Sequence, residues 1–68
     1  MATVHQPIAL FDRIELLEPV DAAPVGARGS VIYFLDDGAV AEVEITTPVL
    51  GDLDRIVYVS PSKLRRVD

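Results

Sequence analysis

Few residues in this chain carry reactive chemistry, and each has a simpler role to fill first. His5 is the only histidine and there is no cysteine. No second nitrogen or thiolate ligand is present to complete a zinc or iron site. Asp36 and Asp37 are adjacent carboxylates. General acid–base work would need surroundings that push their two pKa values apart, whereas Leu35-Asp36-Asp37-Gly38-Ala39 reads as a turn. Asp52 and Asp54 flank Leu53 in a loop, far short of the about six to eight oxygen ligands that calcium takes. Ser30, Ser60 and Ser62 have no base beside them. Lys63, Arg65 and Arg66 form one basic cluster, read as the solvated face of a terminal strand. The expectation is a chain without catalytic residues, metal or cofactor, and not an enzyme.

Short strands must position whatever surface remains. Residues 1–9 read as a tail, with Pro7 opposing regular structure. In 11–17, Arg13 and Glu15 alternate with Ile14 and Leu16, the period of a half-buried strand. Pro19 ends it, having no amide proton for a ladder. A loop with Pro24, Gly26 and Gly29 leads into 29–35, rich in β-branched and aromatic residues. Asp37-Gly38 then forms a hairpin turn, because both central residues of a type I′ turn need positive φ. Residues 39–45 alternate again, 46–54 form a second long loop, and 55–59 a fourth strand. Ser60-Pro61 opens one helical turn over 60–63, with Ser60 as cap and Pro61 at the first helical position. Residues 64–67 return as a fifth strand. The predicted fold is all-β: a small five-stranded SH3-like barrel over 10–68, with one short helical turn before the last strand.

Composition narrows the partners. The chain has 68 residues and a net charge of −5. A domain of this size has a core worth only roughly 3–5 kcal/mol, so association is a natural source of extra stability. Nucleic-acid binding draws on cations that neutralise phosphates, which an acidic chain supplies poorly; a basic protein suits it better. No apolar run approaches the ~20 residues that span a bilayer. The N-terminus lacks the basic start and apolar core of a signal peptide. The location expected is cytoplasmic, with no membrane and no nucleic-acid partner.

The order Leu10-Phe-Asp-Arg-Ile-Glu-Leu-Leu17, then Val25-Gly-Ala-Arg-Gly-Ser-Val31, then Asp36-Asp-Gly-Ala-Val-Ala-Glu-Val-Glu-Ile45, closing on Val59-Ser-Pro-Ser-Lys-Leu-Arg65, resembles the bacterial domain-of-unknown-function 4926 family. The likeness covers roughly residues 10 to 66. It implies an SH3-like barrel in a small bacterial or archaeal protein and hints at an antitoxin or immunity role. Ala9-Leu-Phe-Asp12 is similar to the Ala-Leu-Tyr-Asp opening of eukaryotic SH3 domains, whose peptide groove uses a Trp this chain lacks. Gly26-Ala-Arg-Gly29-Ser-Val31 is similar to the KOW motif of ribosome and transcription proteins, whose loops are basic where these are acidic.

The hairpin offers the surface with most to say. A two-residue Asp37-Gly38 turn pairs Asp36 with Ala39, Leu35 with Val40, Phe34 with Ala41, Tyr33 with Glu42, Ile32 with Val43 and Val31 with Glu44. Ile32, Phe34, Ala41 and Val43 then face the core. Val31, Tyr33, Leu35, Val40, Glu42 and Glu44 face outward, an apolar patch with an acidic rim where a solvated sheet face should be mostly polar. The expected function is a protein-binding module contacting a basic partner through this face, an antitoxin or immunity-type protein being its sharpest form. Self-association through the same face is the alternative, and an RNA- or ribosome-associated KOW-like module the third. A fold-back of residues 1–9 or 46–53 would instead cover the patch.

Overall fold

A computed structural model describes residues 8–47 and 55–67 of the chain. Five strands form one antiparallel sheet: β1 (Arg13–Leu16), β2 (Arg28–Leu35), β3 (Val40–Ile45), β4 (Ile56–Val59) and β5 (Leu64–Arg66), in the order β4-β3-β2-β1-β5. The predicted strands agree with these to within about two residues at each end. The sheet's edges are β4 and β5, and no ladder joins them among the described residues. The expected barrel therefore stands as a five-stranded all-β sheet with that strand order.

Alternation decides which face goes inside. Ile14, Leu16, Val31, Ala41, Val43, Ile45, Val57, Val59 and Leu64 point to one side and form a single buried cluster. No helical layer is present among the described residues to cover this face. Ala23 and Ala27, from the loop between β1 and β2, complete the cluster. That loop is tied in by its main chain: Val20 and Ala23 exchange both hydrogen bonds, at 2.9 and 2.8 Å, and the amides of Leu16 and Gly26 bond to Ala27 and Leu16. Ile8 and Phe34 are partly buried against the same cluster. Of the expected tail, residues 1–7 lie outside the described residues; the Ala9 amide donates to Asp12 Oδ2 at 2.9 Å.

Two details of the chain's corners settle the local geometry. At the hairpin, the Ala39 amide donates to the Asp36 carbonyl at 3.0 Å, and Asp37 and Gly38 take φ of 58° and 91°. That is the expected turn on Asp37-Gly38. Asp36 is also left-handed, at 57°, so Leu35 with Val40 is the last ladder pair and Asp36 does not pair with Ala39 as a strand residue. Before β5, Pro61–Lys63 forms the expected single turn with Pro61 at its start. The Ser60 hydroxyl does not cap it; it lies 3.0 Å from the Ser62 hydroxyl instead.

The expected outward face needs one correction. The predicted register holds for Leu35 with Val40, Phe34 with Ala41 and Tyr33 with Glu42, but a β-bulge follows between Val31 and Tyr33. Below it Val31 pairs with Val43 and Ser30 with Glu44. An extra residue in one strand shifts the alternation by one step. Val31 thereby belongs to the core, fully buried, and Ile32 at the bulge is half-buried. The bulge also meets the chain ahead of β1: the Phe11 amide donates to the Val31 carbonyl at 2.6 Å, and the Val31 amide to Asp12 at 3.1 Å.

Candidate functional site

The outer surface of β2, β3 and β4 is built by the same alternation that fills the core. Tyr33, Glu42 and Tyr58 lie side by side across three strands. One row toward the hairpin turn stand Leu35 and Val40; one row the other way stand Ser30, Glu44 and Ile56. Tyr33 and Tyr58 are 59% and 57% exposed, Leu35 is exposed, and Val40, Glu42 and Ile56 are half-buried. Directly opposed side chains in an antiparallel pair have Cβ atoms about 4.5–5.5 Å apart, so Glu42 on β3 stands between Tyr33 on β2 and Tyr58 on β4.

Five of the six residues singled out for this surface are brought together: Tyr33, Leu35, Val40, Glu42 and Glu44. Val31 is the exception, for the reason given above. Tyr58 and Ile56 belong to the surface and were not anticipated, although Tyr58 stands between Val57 and Val59 in a period-two segment and so had to point away from the core. A fold-back over this face by 1–9 or 46–53 falls largely on residues 1–7 and 48–53, outside the described residues.

Electrostatically the surface is acidic and open. Three ion pairs are made among the described residues, Lys63 with Glu18, Arg65 with Glu15 and Arg66 with Asp12. None involves Glu42 or Glu44. All three lie on β1, β5 and their flanks. The basic cluster Lys63, Arg65 and Arg66 is thus engaged with acids of its own chain. Among the described residues there is no group of three or more His, Asp or Glu able to hold a metal ion, and no buried side-chain polar atom lacks a partner. No helix among them is long and apolar enough to cross a membrane.

Phe11 adds an aromatic beyond the end of β1. It is 74% exposed and held at φ 68°, a conformation that bulky residues adopt only under constraint. The constraint is its amide bond to Val31 at the bulge.

No family model, no curated protein and no solved structure matches this chain.

Proposed function

We propose that this chain is a non-enzymatic protein-binding module whose outer β2–β3–β4 face receives a basic segment of a partner protein. The observation that carries the reading is the row Tyr33–Glu42–Tyr58, two exposed rings around a carboxylate with no cation paired to it among the described residues. A Lys or Arg side chain entering there meets a carboxylate and two ring faces together, which combines charge pairing with cation–π attraction. Leu35, Val40 and Ile56 supply apolar contact on either side, and Glu44 extends the acidic rim. Tyr, together with a partner's Arg, is the composition enriched at interface centres. An antitoxin or immunity-type protein, occluding a basic partner encoded nearby, is the specific form this takes.

Co-expression with the product of a small adjoining gene, followed by co-purification and sedimentation, tests it. A complex is expected with the unaltered chain and is lost in Tyr58→Glu and Glu42→Lys, both of which replace surface side chains and leave the protein folded by circular dichroism. A stable dimer of the lone chain, broken by Tyr33→Glu and Leu35→Glu, would transfer the same face to self-association. Complex formation unaffected by either substitution overturns the reading.

A further inference from the structure

The other half of the sheet's outer surface has the opposite character. Arg13 stands opposite Ser30, and Arg28, two residues before Ser30 on β2, stands opposite Glu15. Arg13 and Arg28 are therefore diagonal neighbours on one face, roughly 7–8 Å apart at the backbone. They line a groove of about 290 Å³ together with Gly29, Ser30, Thr46 and Val67, far above the roughly 10–15 Å³ that one water needs. Neither arginine makes an ion pair among the described residues. Glu15, the carboxylate facing Arg28 across the ladder, is taken by Arg65, which donates to its Oε1 from both Nε and Nη2.

The groove's frame is fixed by the main chain. The Arg28 amide donates to Thr47 Oγ1 at 2.8 Å, and its carbonyl accepts from the Thr46 and Thr47 amides at 2.8 and 3.1 Å and from Thr46 Oγ1 at 3.3 Å. On the far side the Val67 amide donates to the Arg13 carbonyl at 2.8 Å. Both arginines thus project from backbone that is tied down on each side.

We infer that this groove is a binding site for a small, multiply charged oxyanion, held between the guanidinium groups of Arg13 and Arg28 with the Ser30 hydroxyl as a third donor. A guanidinium presents its N–H groups as a rigid fork that fits two oxygens of one phosphate or carboxylate. Two such forks on adjacent strands, lining one groove, suit a dianion better than a single charge. The volume leaves room for an organic group attached to it, with Val67 as an apolar wall. Glu44, opposite Ser30 and in no ion pair among the described residues, is the carboxylate that opposes the ligand.

Titrations followed by ¹H–¹⁵N spectra, at constant ionic strength, test this with two probes: inorganic phosphate and succinate. Saturable shifts are expected at the amides of Arg28, Gly29, Ser30 and Thr46. Arg13→Ala and Arg28→Ala each weaken binding at least tenfold, Arg13→Lys and Arg28→Lys several-fold because charge stays while the fork is lost, and Lys63→Ala leaves it unchanged. Glu44→Gln tightens it several-fold. Saturation by phosphate alone assigns a phosphoryl ligand, and saturation by succinate alone or by both assigns a ligand class that includes dicarboxylates. Non-saturating shifts with both probes, or saturation that survives both alanine variants with their spectra otherwise native, overturn the inference.

Discussion

The two ends of β2 face solvent in different company. Beyond the bulge, Tyr33 and Leu35 join Glu42 and Tyr58 in a surface that is aromatic, acidic and free of ion pairs among the described residues. Before it, Arg28 and Ser30 join Arg13, Glu15 and Arg65 in a surface of guanidiniums, where one carboxylate is already bonded. Both belong to the outer side of the same sheet. The difference teaches how one short strand carries two surfaces: the extra residue at the bulge resets the alternation, so even-numbered residues face outward below it and odd-numbered ones above. Val31 and Phe34 can then both serve the core while Ser30 and Tyr33 both serve solvent.

The largest disruption should come from the position where both surfaces share a backbone contact. A Cβ added at Gly29 would lie 2.3 Å from the Glu44 carbonyl oxygen, which is main chain and cannot swing aside. Gly29→Val should cost about 3 kcal/mol or more, enough to unfold a domain of this size in a urea titration, and so abolish both surfaces together. Next, Val31 and Tyr33 flank the bulge and should separate by their burial. Val31→Ala should cost about 2 kcal/mol by leaving a cavity, whereas Tyr33→Ala should stay within about 0.5 kcal/mol; paired thermal melts check this. Equal losses would mean that Tyr33 is covered in solution.

At the turn that ends the aromatic surface, Gly38→Val places a β-branched residue at φ 91°. It should cost roughly 1–2 kcal/mol, while Gly38→Asn should be nearly neutral, as read by chemical denaturation. The smallest effect belongs to the ionic surface. A double-mutant cycle on Glu15 and Arg65 should return a coupling of about 0.2–1 kcal/mol that falls with added salt, because the arginine end of the pair is exposed.

Much of this was legible in the chain. The Asp-Gly turn, the alternation of Ile14 and Leu16 with Arg13 and Glu15, and Pro61 opening the final turn each state a local backbone requirement, and each is met. The bulge was not legible because Val31 and Ile32 are both aliphatic. Either can take a core position, so apolar alternation cannot say which of them the ladder skips. The arginine groove was equally hidden. Arg13 and Arg28 are separated by the whole first loop, and only the register of β1 on β2 makes them neighbours. The Ser60 cap failed for a local reason: its hydroxyl had an alternative partner two residues away in Ser62.

The clamp on Arg28 bears on the order in which the molecule assembles and opens. The β2–β3 hairpin is closed at one end by its four-residue turn and at the other by the bonds from Arg28 to Thr46 and Thr47. Its contacts are local and cheap in loop entropy. Pairing β1 with β5 joins residues 50 apart, as in Glu15 and Arg65, and costs about 2 kcal/mol more in loop closure when the rest of the chain is unfolded. In amide hydrogen exchange the amides of β3 should therefore be slow and those of β1 and β5 fast. The aromatic surface rides on the slow-opening part. The arginine groove straddles the seam between slow and fast, with Arg28 on one bank and Arg13 on the other. A ligand bridging them would slow exchange in β1 and β5 without touching the hairpin.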